Sequence, residues 1–307
     1  MSGGLKLHIN KARRRVSMRS ALLLTLGVCF FMGNYRLIAS LNGAVGLLGD
    51  HALLGLLIET AFSVLVFGGA CYLGLYVLDG DQTKMIPRGA LSRAQILWLS
   101  LLGAAMTAPA SLAENVLYDV FGWGMRLPQR MYPYIPANML LRVLKSALLV
   151  PVFEELFFRG YLFGALERCG KARAAVVSAL CFAAVHMGGK GSAPHQWLLY
   201  AAMGLLFSAV RMKTGSLLAP VLVHGCYNLS LMLFGFMGFD DWFSRLSFVS
   251  VMVRGAMCLG FMFCLRKAWT ARGTRERLRR MERLTKREKA LVAAAVIAAF
   301  CAALFTA

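Results

Sequence analysis

The chain has 307 residues, of which 59% are hydrophobic and 16% are charged, and its mean hydropathy is +0.63. A soluble domain of this length needs more polar surface to cover its core, so this composition excludes an ordinary soluble fold and a sizeable separate soluble domain. The net charge of +20 does not indicate a nucleic-acid-binding protein, because the basic residues lie in short segments between apolar blocks.

The apolar blocks are about as long as a bilayer is thick, since a span needs roughly 20 apolar residues. The sequence therefore predicts an all-α polytopic transmembrane helical bundle, a single membrane domain over residues 1–307 with about 8–9 spans. The first block is interpreted as an uncleaved span rather than a signal peptide. The predicted spans are 20–40, 52–77, 94–113, 138–163, 174–188, 196–210, 217–235, 247–265 and 290–305. The fifth, sixth and ninth are short, so one of them could be re-entrant or interfacial.

The basic residues are distributed unevenly between the two sides of this predicted bundle. Segments on the side of the N-terminus carry 25 of the 34 Lys and Arg residues, and segments on the other side carry 4. By the positive-inside rule, this predicts a cytoplasmic N-terminus and a multi-pass protein of the cell membrane, expected to be a bacterial plasma membrane. Residues 266–289 form a basic cytoplasmic segment near anionic headgroups, interpreted as a topology anchor rather than a specific lipid or nucleic-acid site.

The eight cysteines form no C-x-x-C pair and no zinc-ligand spacing. Seven of them lie within apolar blocks, where a thiol behaves as a small hydrophobic group. They are therefore interpreted as free structural thiols, and no cofactor-binding motif is recognised. Charged residues within other spans are interpreted as snorkelling or loop-adjacent. They are Arg36, Glu59, Arg142, Lys145 and Arg254.

The fourth predicted span contains two adjacent glutamates, Glu154 and Glu155, and an arginine, Arg159. Ionisable side chains inside a span are costly, so each needs a partner or a function. Glu155 and Arg159 are four residues apart and share a helix face, which predicts an ion pair. Glu154 is rotated by about 100° from Glu155 and is left to face something else.

Two other predicted spans supply further polar groups, namely His186 in the fifth and His224 with Asn228 in the seventh. A carboxylate and a neutral imidazole can orient a water molecule and accept its proton. A second histidine and an asparagine amide are suitable donors to the oxyanion that forms when water attacks a peptide carbonyl. Glu154 with His186, and His224 with Asn228, can fill these two roles. The same residues could also form a zinc site, although no H-E-x-x-H motif is present.

Three ordered motifs resemble those of the CPBP family, the CAAX proteases and bacteriocin-processing enzymes that include the type II CAAX prenyl endopeptidase. The resemblance covers 138–235, a region we expect to be the catalytic core. It implies an intramembrane glutamate endopeptidase that acts on a hydrophobic or lipidated peptide. The motifs are Glu154-Glu155-x-x-x-Arg159, Phe182-x-x-x-His186 and His224-x-x-x-Asn228.

The resemblance also implies a role for each motif residue. Glu154 and His186 would activate water, and His224 and Asn228 would stabilise the oxyanion. The other two residues of the first motif would support them structurally. No cofactor is implied, although the first glutamate and both histidines are competent ligands of a divalent metal, so a metal-dependent reaction stays open.

Other functions are compatible with the same residues. A member of this fold could act without catalysis, as a membrane scaffold or a bacteriocin self-immunity protein. A proton-coupled transporter would also need buried carboxylates, but the sequence shows neither an internal repeat nor paired broken helices. The expected partners are the peptide or lipidated-protein substrate and membrane lipids; the sequence indicates neither the oligomeric state nor a need for prenylation.

Overall fold

The structure is a computed structural model that describes residues 20–32, 52–77, 86–121, 136–186, 194–236 and 248–270. Over these residues the chain is helical, apart from short connections and one isolated antiparallel bridge between Arg88 and Ser216. We number the helices α1 (Ser20–Met32), α2 (Ala52–Tyr72), α3 (Arg93–Ala105), α4 (Thr107–Phe121), α5 (136–169), α6 (Lys171–His186), α7 (Pro194–Thr214), α8 (Leu218–Phe236) and α9 (Phe248–Thr270).

The prediction of an all-α protein is confirmed for the described residues. Three stretches among them are long and apolar enough to cross a membrane, and two shorter apolar helices, α1 and most of α8, accompany them. The three stretches are Leu54–Tyr76, Arg93–Val116 and Phe248–Thr270. The chain is therefore a membrane protein, while the span count and the orientation remain predictions. The predicted ninth span, 290–305, and most of the basic segment 266–289 lie outside the described residues.

Apolar and polar side chains are distributed as expected for a protein in lipid. Large apolar side chains are exposed along α1, α2 and α9, as shown by Leu65 and Phe248, which are 71% and 80% exposed. Charged side chains are buried in the interior, where Glu155, Arg159 and Arg254 are fully inaccessible. An apolar exterior costs nothing in hydrocarbon, whereas a charge in hydrocarbon must find a partner within the protein.

Small residues allow the helices around the site to approach closely. Gly204 of α7 lies against Ala179 of α6, and Gly225 of α8 lies against the Ala147 carbonyl of α5; neither glycine has space for a Cβ. Close contact through small residues is the usual way in which membrane helices associate, because lipid provides no hydrophobic drive between them. These contacts hold α7 against α6 and α8 against α5.

Helix α5 is not a regular α-helix. It contains two π-helical turns, Leu144–Leu149 and Leu156–Leu162, on either side of the short α-helical stretch Val150–Glu155. Within the first turn the Val150 N–H donates to the carbonyl of residue 145. In this π pattern each N–H donates to the carbonyl five residues earlier, so the donor to the Ser146 carbonyl would be residue 151. That residue is Pro151, which has no N–H, and the Ser146 carbonyl therefore lacks its backbone donor. The sequence around Pro151 thus opens the α5 backbone just before the glutamate pair.

Candidate active site

The two adjacent glutamates are the last two residues of the α-helical stretch between the π turns of α5. Glu154 is 3% exposed and Glu155 is 0% exposed. Carboxylates with so little access to water require nearby hydrogen-bond donors or positive charges. The two side chains meet this requirement with different partners.

Glu155 is joined to residues on two helices. Its Oε1 accepts hydrogen bonds from Arg159 Nη1 at 3.1 Å and from His224 Nδ1 at 3.0 Å. The structure thus contains the Glu155–Arg159 pair that the four-residue spacing predicts. The contact with His224 was not predicted, and it connects the first motif on α5 directly to the third motif on α8.

Arg159 is fully buried and is held from several sides. Its Nη2 donates to the Gly204 carbonyl of α7 at 3.1 Å. Its guanidinium carbon also lies 4.4 Å from the Phe182 ring centroid and 5.2 Å from that of Phe207. A guanidinium over aromatic faces gains electrostatic attraction in addition to its ion pair. Arg159 therefore links α5, α6 and α7 around Glu155.

Glu154 faces the histidine of the second motif. Its Oε2 lies 3.9 Å from Nε2 of His186, the last residue of α6. The other ring nitrogen, Nδ1, is 2.7 Å from the Phe182 carbonyl. A carbonyl can only accept, so Nδ1 carries a hydrogen, and in the neutral imidazole Nε2 is the acceptor nitrogen. Glu154 and His186 consequently present two proton acceptors to the space between them.

His224 has a defined protonation pattern of its own. Glu155 is paired with a guanidinium, so its oxygen accepts and His224 Nδ1 carries a hydrogen. His224 can donate a second hydrogen bond from Nε2 only as an imidazolium. The ring is 3% exposed and lies parallel to Phe207, with centroids 4.9 Å apart. The orientation of His224 is thus fixed at one edge and on one face.

Asn228 is anchored to the first π turn of α5. Its Nδ2 donates to the Ser146 carbonyl at 2.8 Å, in place of the backbone donor that Pro151 lacks. A side-chain amide carries two N–H groups, so this bond uses one and leaves the other available to a ligand. The second π turn shows a similar arrangement, in which Ser178 of α6 donates to the Phe158 carbonyl at 2.8 Å.

The structure pairs Glu154 with His186 and joins Glu155 to Arg159 and His224, while Asn228, one turn from His224 on α8, contacts α5 at Ser146. The sequence did not identify the two rings of α7 that stack on the histidines, Tyr200 on His186 and Phe207 on His224. A spacing of seven residues, or about two helical turns, was the only available signal. That spacing is equally typical of ordinary core packing.

The interpretation of two other charged residues as snorkelling or loop-adjacent is wrong. Lys145 is 9% exposed, and its Nζ lies 2.5 Å from Glu59 Oε2, so that this ion pair joins α5 to α2. Arg254 of α9 is fully buried, and its Nε donates to the Ser250 carbonyl at 3.3 Å. Helix contacts that the sequence does not specify bury both side chains.

No group of three or more His, Cys, Asp or Glu side chains in the described part of the chain is arranged to hold a metal ion. In the candidate site, one nitrogen of each histidine is already bonded to a protein oxygen.

Comparison with known proteins gives a family for this region. Residues 136–230 match the family model described as type II CAAX prenyl endopeptidase Rce1-like. This range contains every residue of the candidate site, and it nearly coincides with the predicted core, 138–235. The resemblance deduced from the three motifs is thereby confirmed.

Two curated bacterial proteins are similar to parts of the chain. A Bacillus subtilis protein named "Putative membrane peptidase YdiL" is 28% identical over 155 residues, which cover 47% of this chain and 61% of the relative. The UPF0177 protein YxdF of Lactococcus lactis is 32% identical over 84 residues, which cover 27% of this chain and 43% of the relative. The chain thus matches less than two thirds of the length of either protein. No solved structure matches it.

Proposed function

We propose, from the match of residues 136–230 to the Rce1-like family model, that the chain is an intramembrane endopeptidase using Glu154, His186, His224 and Asn228. The substrate would be a hydrophobic or lipidated peptide that reaches the buried site from the membrane. The family match and the relative named as a membrane peptidase support a membrane protease. The residue roles below rest on the geometry and chemistry of the site.

The first step is activation of water. A water molecule between Glu154 Oε2 and His186 Nε2 would meet two acceptors, one of them a carboxylate shielded from bulk solvent. Glu154 accepts a proton from this water molecule while the water oxygen attacks the carbonyl carbon of the scissile peptide. His186 accepts the second hydrogen bond and orients the water lone pair toward that carbon.

Attack converts the carbonyl oxygen into an oxyanion, which needs prearranged donors. His224 supplies Nε2–H as an imidazolium whose other nitrogen is bonded to Glu155. Asn228 supplies the N–H that is not used by the Ser146 carbonyl. Both donors are fixed before substrate arrives, so they do not have to reorganise as charge develops.

Collapse of the tetrahedral intermediate breaks the C–N bond. The proton held by Glu154 passes to the leaving nitrogen, either directly or through His186, which gives a carboxylic acid and an amine; the acid then passes its proton to the amine, so that a carboxylate and an ammonium are released. Glu154 is then ionised again, as it was before the reaction. The cycle consumes one water molecule and requires no other reactant.

One observation carries this proposal. Glu154 is a nearly inaccessible carboxylate in a membrane protein, and it faces the acceptor nitrogen of a histidine whose other nitrogen is fixed by a backbone carbonyl. Its neighbour Glu155, by comparison, accepts hydrogen bonds from Arg159 and His224, which are the contacts of a structural carboxylate.

The decisive test compares Glu154→Gln with Glu167→Gln in purified full-length protein. Glu167 is also on α5, but its side chain is 32% exposed and its nearest basic atom, on Arg211, is 3.9 Å away. We expect wild type and Glu167→Gln to cleave members of a hydrophobic peptide library, synthesised with and without a prenylated cysteine. Glu154→Gln should lose cleavage by roughly 1000-fold or more, because the amide cannot accept a proton. Mass spectrometry of the products gives the rates and the cleavage positions.

Two further arms separate the alternatives. Cleavage that persists in a strong chelator indicates a metal-independent reaction, whereas loss that is restored by a divalent ion indicates a metal. Full cleavage by Glu154→Gln would overturn the proposed mechanism. If cells keep their phenotype with this variant while the purified wild type cleaves nothing, the protein acts as a scaffold or immunity protein.

A further inference from the structure

Helix α7 provides one aromatic ring to each histidine of the candidate site. The Tyr200 ring lies 4.4 Å from the His186 ring with an interplanar angle of 25°, and the Phe207 ring lies 4.9 Å from the His224 ring with an angle of 20°. Residues 200 and 207 are two helical turns apart, so their rings project from one face of α7. No motif of the sequence includes either ring.

His186 depends on its neighbours more than His224 does. Its side chain is 14% exposed, compared with 4% for that of His224. The bond from Nδ1 to the Phe182 carbonyl fixes one atom of the ring but leaves the ring plane free to tilt about that point. Phe182 meets the imidazole at 48°, whereas Tyr200 is nearly parallel to it. The tyrosine face is therefore the contact that sets the plane of the imidazole.

We propose that Tyr200 is a positioning residue for the proposed hydrolysis, because its ring holds the His186 imidazole in the plane that directs Nε2 toward Glu154 Oε2. This inference rests on the proposed function, since it assigns Tyr200 a role in the same step. Tyr200 acts through His186 and does not itself touch the reacting atoms. Stacked rings favour a defined offset geometry, which gives the contact directional as well as packing value.

Tyr200 is also the better of the two rings for an experiment. Phe207 is 0% exposed and lies beneath the guanidinium of Arg159, so its truncation would leave a core cavity next to a buried charge. Tyr200 is only partly buried and can be replaced with less loss of packing. The informative variants are Tyr200→Phe, which keeps the stacked ring, and Tyr200→Leu, which fills similar space without a ring.

The kinetic test compares these variants with Tyr72→Leu as a matched control. Tyr72 of α2 is also a stacked tyrosine, 5.1 Å from Tyr76, but it is 60% exposed and remote from the site. We expect Tyr200→Leu to lower kcat by about 10- to 100-fold, the cost of a misplaced catalytic group, with KM changed less than about threefold. Tyr200→Phe and Tyr72→Leu should stay within about threefold of wild type. A wild-type kcat in Tyr200→Leu, or an equal loss in Tyr200→Phe, would overturn the positioning role of the ring.

A second readout does not require cleavage. The rate at which diethyl pyrocarbonate modifies His186, followed by peptide mass spectrometry, should rise severalfold in Tyr200→Leu and remain at the wild-type value in Tyr200→Phe. His224 in the same samples is the internal reference and should be unchanged. An unchanged His186 rate in Tyr200→Leu contradicts the inference even if wild type proves inactive. Conversely, inactive wild type with a raised His186 rate refutes the proposed function while leaving the ring contact established.

Discussion

Glu154 and Glu155 are adjacent in the chain and chemically identical, yet their surroundings give them opposite tasks. The Oε1 atom of Glu155 accepts from both a guanidinium and an imidazole N–H. Glu154 faces the acceptor nitrogen of His186. A rotation of about 100° per residue is sufficient to give adjacent carboxylates different partners, and we propose that one is supporting and the other reactive.

At the residue scale, Glu155→Gln should impair cleavage even though Glu155 has a supporting role in the proposed mechanism. The glutamine oxygen can still accept from His224 Nδ1, but it provides no charge to stabilise the imidazolium needed at the oxyanion. We expect kcat to fall by roughly 100-fold, the usual cost of losing one oxyanion donor. Initial rates at saturating substrate measure this loss.

A loss of folding in Glu155→Gln must be distinguished from a loss of chemistry. Removing one partner of a buried ion pair costs about 3–5 kcal/mol, because the remaining charge, here on Arg159, is left without its partner. The double variant Glu155→Gln/Arg159→Gln removes both charges, so it should recover the thermal midpoint lost by the single variant. It should not recover cleavage; recovered cleavage would contradict the role given to Glu155.

At the element scale, α5 functions through its irregularities. A regular α-helix satisfies its interior carbonyls with its own N–H groups, so those carbonyls do not need a donor from a neighbouring helix. The first π turn and Pro151 free the Ser146 carbonyl for Asn228, and the second π turn presents the Phe158 carbonyl to Ser178. Side chains from α8 and α6 are thereby fixed at the level of the glutamates.

Pro151→Ala tests this use of the backbone. Alanine restores an N–H that can donate to the carbonyl of residue 146 or 147 and so compete with Asn228. We expect kcat to fall by about tenfold as the asparagine loses its anchor, while the thermal midpoint is maintained because alanine is the better helix former.

The matched control for this change is Pro220→Ala. Pro220 is the third residue of α8, a position whose N–H has no partner within the helix. Its cleavage rate should therefore remain near that of wild type. If Pro151→Ala cleaves as fast as Pro220→Ala, the anchoring of Asn228 through the π turn is not required for the reaction.

The sequence predicts the existence of α5 and its local ion pair better than it predicts the π turns of α5 and its contacts with other helices. The helix, its glutamates and the Glu155–Arg159 pair follow from apolar length and from a spacing of four residues, both of which are local. The Glu155–His224 bond joins residues 69 apart and depends on how α8 packs on α5. The π turns likewise depend on hydrogen bonds from other helices, and only Pro151 was a visible sign of them.

The burial of two charged side chains, those of Lys145 and Arg254, was also not predicted from the sequence. Lys145 and Arg254 have long side chains that can reach an interface when the helix is isolated, so snorkelling was the natural expectation. In the folded bundle, Glu59 and the Ser250 carbonyl provide nearer partners. The sequence cannot identify such partners without knowing which helices are neighbours.

At the scale of the whole molecule, the buried charges and the loop charges serve different purposes. The buried set is concentrated where α5, α6, α7 and α8 meet, and it includes both signs, so its members neutralise one another. The loop set is mainly basic, with 29 Lys and Arg residues against 11 Asp and Glu residues, and 25 of the basic residues lie on one predicted side. Only the second set is expected to respond to the membrane potential and to anionic lipid, and it therefore determines the orientation.

This orientation can be tested with the native lysines and arginines as protease sites. Residues 266–289 contain 11 of them, whereas the four predicted outside segments together contain only 4. We expect trypsin to cut within 271–289 rapidly in inside-out vesicles and not in sealed right-side-out vesicles, because the positive-inside rule places this segment in the cytoplasm. Peptide mass spectrometry identifies the cuts, and detergent-opened vesicles of both kinds provide the control in which the segment is cut regardless of orientation. Cuts within 271–289 in sealed right-side-out vesicles would reverse the predicted topology, and with it the side of the membrane from which a peptide approaches Glu154.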